Sequence, residues 1–122
     1  MLAILGSIFV ALVAVEHLYF LYLEMFAWTT PRVQRIFGTT AEFAHASKTL
    51  AANQGLYNGF LAAGLLWALL HPAAAVSSQL RLFFLACVLI AAIYGAFSVK
   101  RTILWVQGGP ALIALLLTLT QR

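Results

Sequence analysis

Apolar residues fill most of the chain in four long runs separated by short polar segments. The runs cover about residues 2–26, 50–70, 79–99 and 102–119. Each is close to the roughly 20 residues that a membrane-spanning helix needs. The third and fourth runs are separated by only a few residues, around Lys100 and Arg101, which predicts an antiparallel helical hairpin. The pattern predicts an all-α, integral membrane four-helix bundle of antiparallel up-down topology, with residues 1–122 forming a single transmembrane domain.

The second helix is expected to begin before its apolar run. Thr39, with Glu42 three residues later, matches a capping box, which predicts a helix from about Thr40 to Leu70. The basic segment 31–38, with apolar residues interleaved, fits either a short interfacial helix or an ordinary basic loop.

Composition excludes several classes of protein. The chain is 64% hydrophobic and only 8% charged, whereas soluble domains are about 25% charged. The formal net charge of +4 comes from residues that flank apolar runs, so we expect no binding to nucleic acid. Cys87 is the only cysteine, which excludes an intrachain disulfide and any cysteine metal motif. We expect no metal ion and no cofactor.

The basic residues predict the orientation in the membrane. The loop at about residues 29–48 and the turn after the third run carry five of them: Arg32, Arg35, Lys48, Lys100 and Arg101. The opposite side carries only Arg81 and Arg122. Because cytoplasmic loops are enriched in Lys and Arg, both termini are expected outside. The expected location is the bacterial plasma (inner) membrane, in a multi-pass arrangement, with membrane lipid as a partner.

Polar residues inside the apolar runs are the candidate functional residues, because an ionisable group at the bilayer centre costs about 2.5–3.5 kcal/mol on insertion. At about 100° per residue, those of the first run share one arc of a helix, and so do those of the second. They predict a polar intramembrane cavity that opens toward the cytosol. The candidate ligand-binding residues are Glu16, His17, Phe20, Glu24, Asn53, Gln54, Tyr57, Asn58, Tyr94 and Gln107.

Three of these residues are candidates for proton exchange: Glu16, His17 and Glu24. A low-dielectric site disfavours the charged form of a carboxyl group, so Glu16 could bind and release a proton. The structural alternative is that Glu16 pairs with His17, Asn58 or Gln107 and holds the helices together. Glu24 lies nearer the interface, where it could instead be solvated or paired with Arg32 or Lys48.

Two glycine motifs accompany the polar residues. Gly55 and Gly59 form a GxxxG pair, which favours close helix packing either within the bundle or in a homodimer. Gly108 and Gly109 precede Pro110 inside the fourth run, where proline removes a backbone hydrogen bond and kinks a helix.

The chain resembles a family of small bacterial four-span membrane proteins of unknown function (DUF1304-like). The residues that carry the resemblance extend along the chain, and the most specific of them is the string Asn53–Gly59. The others are Glu16, His17, the segment 22–28, Thr30, Pro31, Phe37, Ala51, Ala52, Phe60 and the segment 107–111. The resemblance implies a four-helix membrane fold in the plasma membrane, and it implies no activity.

Three functions remain open at this stage. The first is binding or transport of a small molecule or ion, with proton coupling, which is similar in outline to small multidrug-resistance exporters. The second is a membrane enzyme that acts on a lipid-like substrate by acid–base chemistry. The third is a structural or accessory subunit in which the polar cluster joins helices. The expected ligand is a small hydrophobic or cationic molecule.

Overall fold

The computed structural model describes residues 1–121, so Arg122, one of the two basic side chains expected outside, lies outside the described residues. The described chain is all-α and contains no β-strand. Its helices are α1 (Leu2–Met25), α2 (Pro31–Phe37), α3 (Ala41–Leu70), α4 (Ala74–Ser98) and α5 (Gly109–Leu119), and a π-helical turn (Leu104–Gly108) precedes α5.

Two of these helices, α1 and α4, are long and apolar enough to cross a membrane. The apolar half of α3 also carries Asn53, Gln54 and Asn58, which lower its hydropathy. The fourth apolar run forms a shorter apolar helix (Leu104–Leu119), which includes the π-helical turn. Length and composition therefore support two of the four expected spans.

The segment between α1 and α3 is helical, as one of the two interpretations of residues 31–38 predicted. The Val33 N–H donates to the Oγ1 atom of Thr30 at 3.4 Å, and Pro31 occupies the first turn of α2. Proline suits that position because its missing N–H would have no intrahelical partner there. Gly38 ends α2 with a φ of 66°, a left-handed conformation that glycine adopts without steric cost.

The start of α3 corrects the predicted capping box. The Phe43 N–H donates to the Oγ1 atom of Thr40 at 3.1 Å, so the capping side chain is Thr40 rather than Thr39. Glu42 is consequently the second residue of α3 and not the third, which is the position that a capping box requires.

The π-helical turn lies where the sequence predicted a kink. Pro110 has no N–H, so the carbonyl of Val106 has no donor at the usual α-helical spacing. A π-helical turn widens the backbone locally, and it places Gln107 in the distorted segment.

The described residues form two compact units. The terminal unit combines residues 1–16 with the described residues from 61 onward, and the central unit is residues 17–60. Four helices contribute to the core of the terminal unit: its buried residues are Val10, Val13, Ala14, Leu65, Leu85, Val88, Ala111 and Ala114. The central unit has a smaller core of Leu23, Ala27 and Val33, flanked by Trp28 and Phe37.

Candidate functional site

The central unit contains a buried carboxyl group on α1, that of Glu24. Glu24 is only 6% exposed. The Nδ2 atom of Asn58, on α3, donates a hydrogen bond to the Oε1 atom of Glu24 at 3.2 Å. The Oε2 atom of Glu24 is also buried, and it accepts no hydrogen bond from residues 1–121. One oxygen of this carboxyl group is therefore held by protein, and the other retains its capacity to bind a proton or a cation.

Small residues on α3 make the close approach of Glu24 to Asn58 possible. A Cβ atom added at Gly55 would lie 2.8 Å from the Cγ atom of Met25 and 3.0 Å from the Cβ atom of Glu24. A Cβ atom at Gly59 would lie 2.6 Å from the Cδ1 atom of Leu21. The two glycines thus serve packing against α1 within the chain, which is one of the two roles that their spacing predicted. A homodimer through the same glycines stays a prediction.

His17 and Phe20 lie on α1 in the same unit. His17 is fully buried, and its imidazole meets the ring of Phe20 edge-on, with centroids 5.4 Å apart. Seven residues separate His17 from Glu24, which corresponds to about 10.5 Å along the helix axis. The imidazole and the carboxyl group are consequently two separate buried polar groups.

Three further candidates on α3 lie on its exposed surface: Asn53, Gln54 and Tyr57. Tyr57 is 60% exposed. Asn58 was predicted to share their arc, but it lies at the edge of that arc and beside the small-residue face. Close packing of the small residues turns that face inward, because van der Waals contact is a main source of helix association in lipid. Of the four polar side chains on α3, the structure brings only Asn58 to Glu24.

The remaining candidates belong to the terminal unit. Glu16 is half-buried, and its buried Oε2 atom accepts no hydrogen bond from the described residues. The Nε2 atom of Gln107 donates to the carbonyl oxygen of Val88 at 3.3 Å. Tyr94 is 74% exposed. The amides of Asn58 and Gln107, considered above as partners for Glu16, are thus used by Glu24 and by a backbone carbonyl.

Neither of the two cations expected near Glu24, Arg32 and Lys48, forms an ion pair with it. The Nη2 atom of Arg32 donates to the hydroxyl group of Tyr19 at 3.1 Å, and Lys48 is exposed. Among residues 1–121, no Lys or Arg forms an ion pair with Glu24. The same residues contain no group of three His, Cys, Asp or Glu side chains that could hold a metal ion.

One polar cavity was not predicted from the sequence. It lies in the terminal unit, has a volume of about 190 Å³, and contains the side chain of Arg81. Its lining residues are Ala3, Ser7, Ala74, Ser77, Ser78, Arg81, Thr118 and Gln121. Arg81 had been interpreted only as a determinant of topology. Its position inside the third apolar run, where a charge is costly, was the signal that could have identified it.

Comparison with known proteins supports a family assignment. The model of the family described as "Protein of unknown function (DUF1304)" matches residues 11–119. The chain is also similar to a protein of Lactococcus lactis subsp. lactis (strain IL1403) called "Uncharacterized protein YpaA". The two are 35% identical over 119 residues, which cover 94% of this chain and 97% of that relative. No solved structure matches the chain significantly. The match along nearly the whole chain shows that this protein belongs to the DUF1304 family of proteins of unknown function.

Proposed function

We propose that this chain is a multi-pass protein of the bacterial plasma membrane that binds a small organic cation at Glu24 in exchange for a proton. The four apolar runs are its spans, and the basic loops between them lie in the cytoplasm. The single observation that carries the proposal is the buried carboxyl group of Glu24, with one oxygen bound to Asn58 and the other without a donor among residues 1–121.

The exposed surface of the apolar helices supports a membrane location. Ile4, Ile8 and Leu12 on α1 are large apolar side chains at least half exposed. On α4, Phe83, Ile90 and Phe97 are also more than half exposed. Soluble monomers rarely expose large contiguous apolar patches, whereas lipid tails solvate them without cost. Contact with lipid hydrocarbon explains the exposure of these apolar side chains. In the same surroundings, a charge on the buried carboxyl group of Glu24 is costly.

The chemistry of Glu24 favours exchange over permanent ionisation. A lone carboxylate is costly in a low-dielectric interior, and it is stabilised by a proton or by a bound cation. Because Asn58 donates to Oε1 in either state, the loss of a proton from Oε2 leaves a negative charge that a bound cation would neutralise. Binding and proton release are then linked through one atom.

The test uses tetraphenylphosphonium, a lipophilic cation, with the full chain purified in detergent. Titration calorimetry in two buffers with different heats of ionisation counts the protons released. The wild type should release about one proton per cation bound. Glu24→Gln keeps an oxygen for Asn58 but carries no acidic proton, so it should release none and bind at least about tenfold more weakly, which is about 1.4 kcal/mol.

Glu42→Gln is the matched control, because Glu42 is an exposed glutamate at the start of α3. This variant should behave like the wild type. Proton release that persists in Glu24→Gln, or a wild type that binds no cation and releases no proton, contradicts the proposal.

A second function is favoured by the same hydrogen bond. The Glu24–Asn58 contact joins α1 to α3 at a place where Gly55 already brings the helices together. In this interpretation the pair stabilises the fold of an accessory membrane subunit and binds no ligand. The titration separates the two functions, because a purely structural pair releases no proton when the cation is added.

A further inference from the structure

The Arg81 cavity is the strongest unassigned feature of the terminal unit. It is lined by the start of α1, the first part of α4 and the end of α5, and it is partly open. The Nη2 atom of Arg81 donates to the Oγ atom of Ser7 at 3.1 Å. The Nε atom of Arg81 is buried and has no hydrogen-bond partner among residues 1–121. Only one of the five guanidinium N–H donors is therefore used within the described residues.

The charge balance of the cavity favours an anion. No acidic side chain lines it, and the three carboxyl side chains of the chain (Glu16, Glu24 and Glu42) lie elsewhere. An arginine in an apolar span is rare unless it is paired or has a function. Its planar fork matches the oxygens of a phosphate or carboxylate group.

The neighbouring hydroxyl groups divide into two sets. Ser77 donates to the carbonyl oxygen of Ala68 at 2.6 Å, and Thr118 donates to that of Ala114 at 2.8 Å, so these two protons are used within the fold. Ser7 accepts from Arg81 and retains its own proton, and the hydroxyl group of Ser78 makes no hydrogen bond to the described residues. The cavity thus offers a guanidinium and two hydroxyl donors to an anion.

An apolar groove adjoins this polar cavity. It has a volume of about 510 Å³, and Ala3 and Ser7 belong to both. Its other lining residues are Ile4, Ile8, Ala11 and Leu69, all of them apolar. A polar, cationic cavity that continues into an apolar groove is complementary to a molecule with an anionic head and a hydrocarbon chain.

We propose that the Arg81 cavity binds the phosphate headgroup of an anionic phospholipid, with an acyl chain lying in the adjoining groove. The cavity volume corresponds to about six water molecules at about 30 Å³ each, which accommodates a phosphate group. The inference rests on the membrane location proposed above, but not on exchange at Glu24. Either can therefore fail without the other.

The experiment measures lipid retention by native mass spectrometry of the full chain in detergent. Phosphatidylglycerol is compared with phosphatidylcholine, which also carries a phosphate but is zwitterionic. The wild type should retain phosphatidylglycerol at least fivefold better. Arg81→Gln should lose this preference, whereas Arg101→Gln, which removes an exposed arginine outside the cavity, should keep it.

A second variant tests the proposal even if Arg81→Gln fails to fold. Ser78→Leu keeps the arginine but fills the cavity, so it should lose the same preference. Equal retention of the two lipids by the wild type, or a preference that persists in Ser78→Leu, overturns the proposal. Abolition of the preference by millimolar inorganic phosphate also overturns it, because the site then takes a free anion rather than a lipid headgroup.

Discussion

At the scale of single residues, three polar side chains on α1 show how burial distinguishes groups of similar chemistry. Glu24 is buried with a defined partner, and Glu16 is half-buried without one among the described residues. His17 is fully buried against Phe20. Glu24 is therefore the carboxyl group whose surroundings are best defined, although the sequence had pointed first to Glu16.

The Glu24–Asn58 hydrogen bond predicts an asymmetry between two asparagines of α3. Asn58→Ala removes the only donor to Glu24 among the described residues and leaves a buried acceptor unsatisfied, which should cost about 1–2 kcal/mol of unfolding free energy. Asn53→Ala is the matched control, because Asn53 is exposed on the same helix and should change stability little. Thermal unfolding in detergent measures both. Equal effects of the two substitutions would show that the hydrogen bond contributes nothing.

At the scale of helices, the positions of helix ends and of polar residues were predictable to different degrees. Apolar runs and proline predicted α1 and the end of α3 to within a residue. They did not predict that α4 begins at Ala74, before its apolar run. Helical periodicity predicted that Asn53, Tyr57 and Asn58 share one arc of α3. It did not predict which edge of that arc faces α1. That choice depends on close contacts at Gly55, and only a partner helix supplies them.

The glycines of the helices predict effects of different size for one kind of substitution. Gly55→Ala places a Cβ atom 3.2 Å from the backbone oxygen of Leu21 and within 3.0 Å of two side-chain atoms of α1, which should destabilise the chain by about 1–3 kcal/mol. A Cβ atom at Gly109 meets no atom within 4 Å beyond its chain neighbours, so it crowds only the ring of Pro110, and Gly109→Ala should destabilise the chain less than Gly55→Ala. Thermal unfolding of the two variants measures both effects on stability. A destabilised Gly109→Ala with an unaffected Gly55→Ala would show that Gly55 is not a close contact of α1.

At the scale of the whole molecule, the proposed function requires four membrane spans. Two helices are long and apolar enough to span. The other two proposed spans are less evident because amide side chains lower the hydropathy of α3, and because the apolar helix of the fourth run (Leu104–Leu119), which contains the π-helical turn, is short. The sequence could indicate four apolar runs, but it could not show that one of them contains this distortion, which depends on how the segment before Pro110 satisfies its backbone.

The proposed orientation predicts the labelling of two engineered cysteines in a Cys87→Ser background. Arg101→Cys replaces an exposed residue of the turn after α4, and Thr120→Cys replaces an exposed residue after α5. A membrane-impermeant maleimide should label position 101 only in inside-out vesicles and position 120 only in right-side-out vesicles. Labelling of both positions from one side would exclude a fourth span.

The central claim is that Glu24 gives up its proton when a cation binds, and infrared difference spectroscopy tests this most directly. Protonated carboxyl groups have a C=O stretching band that is lost on ionisation. Addition of tetraphenylphosphonium should remove such a band from the wild type and from Glu16→Gln, and Glu24→Gln should show no such change. A band that is lost equally in Glu24→Gln, or that persists in the wild type when the cation is bound, would contradict the claim.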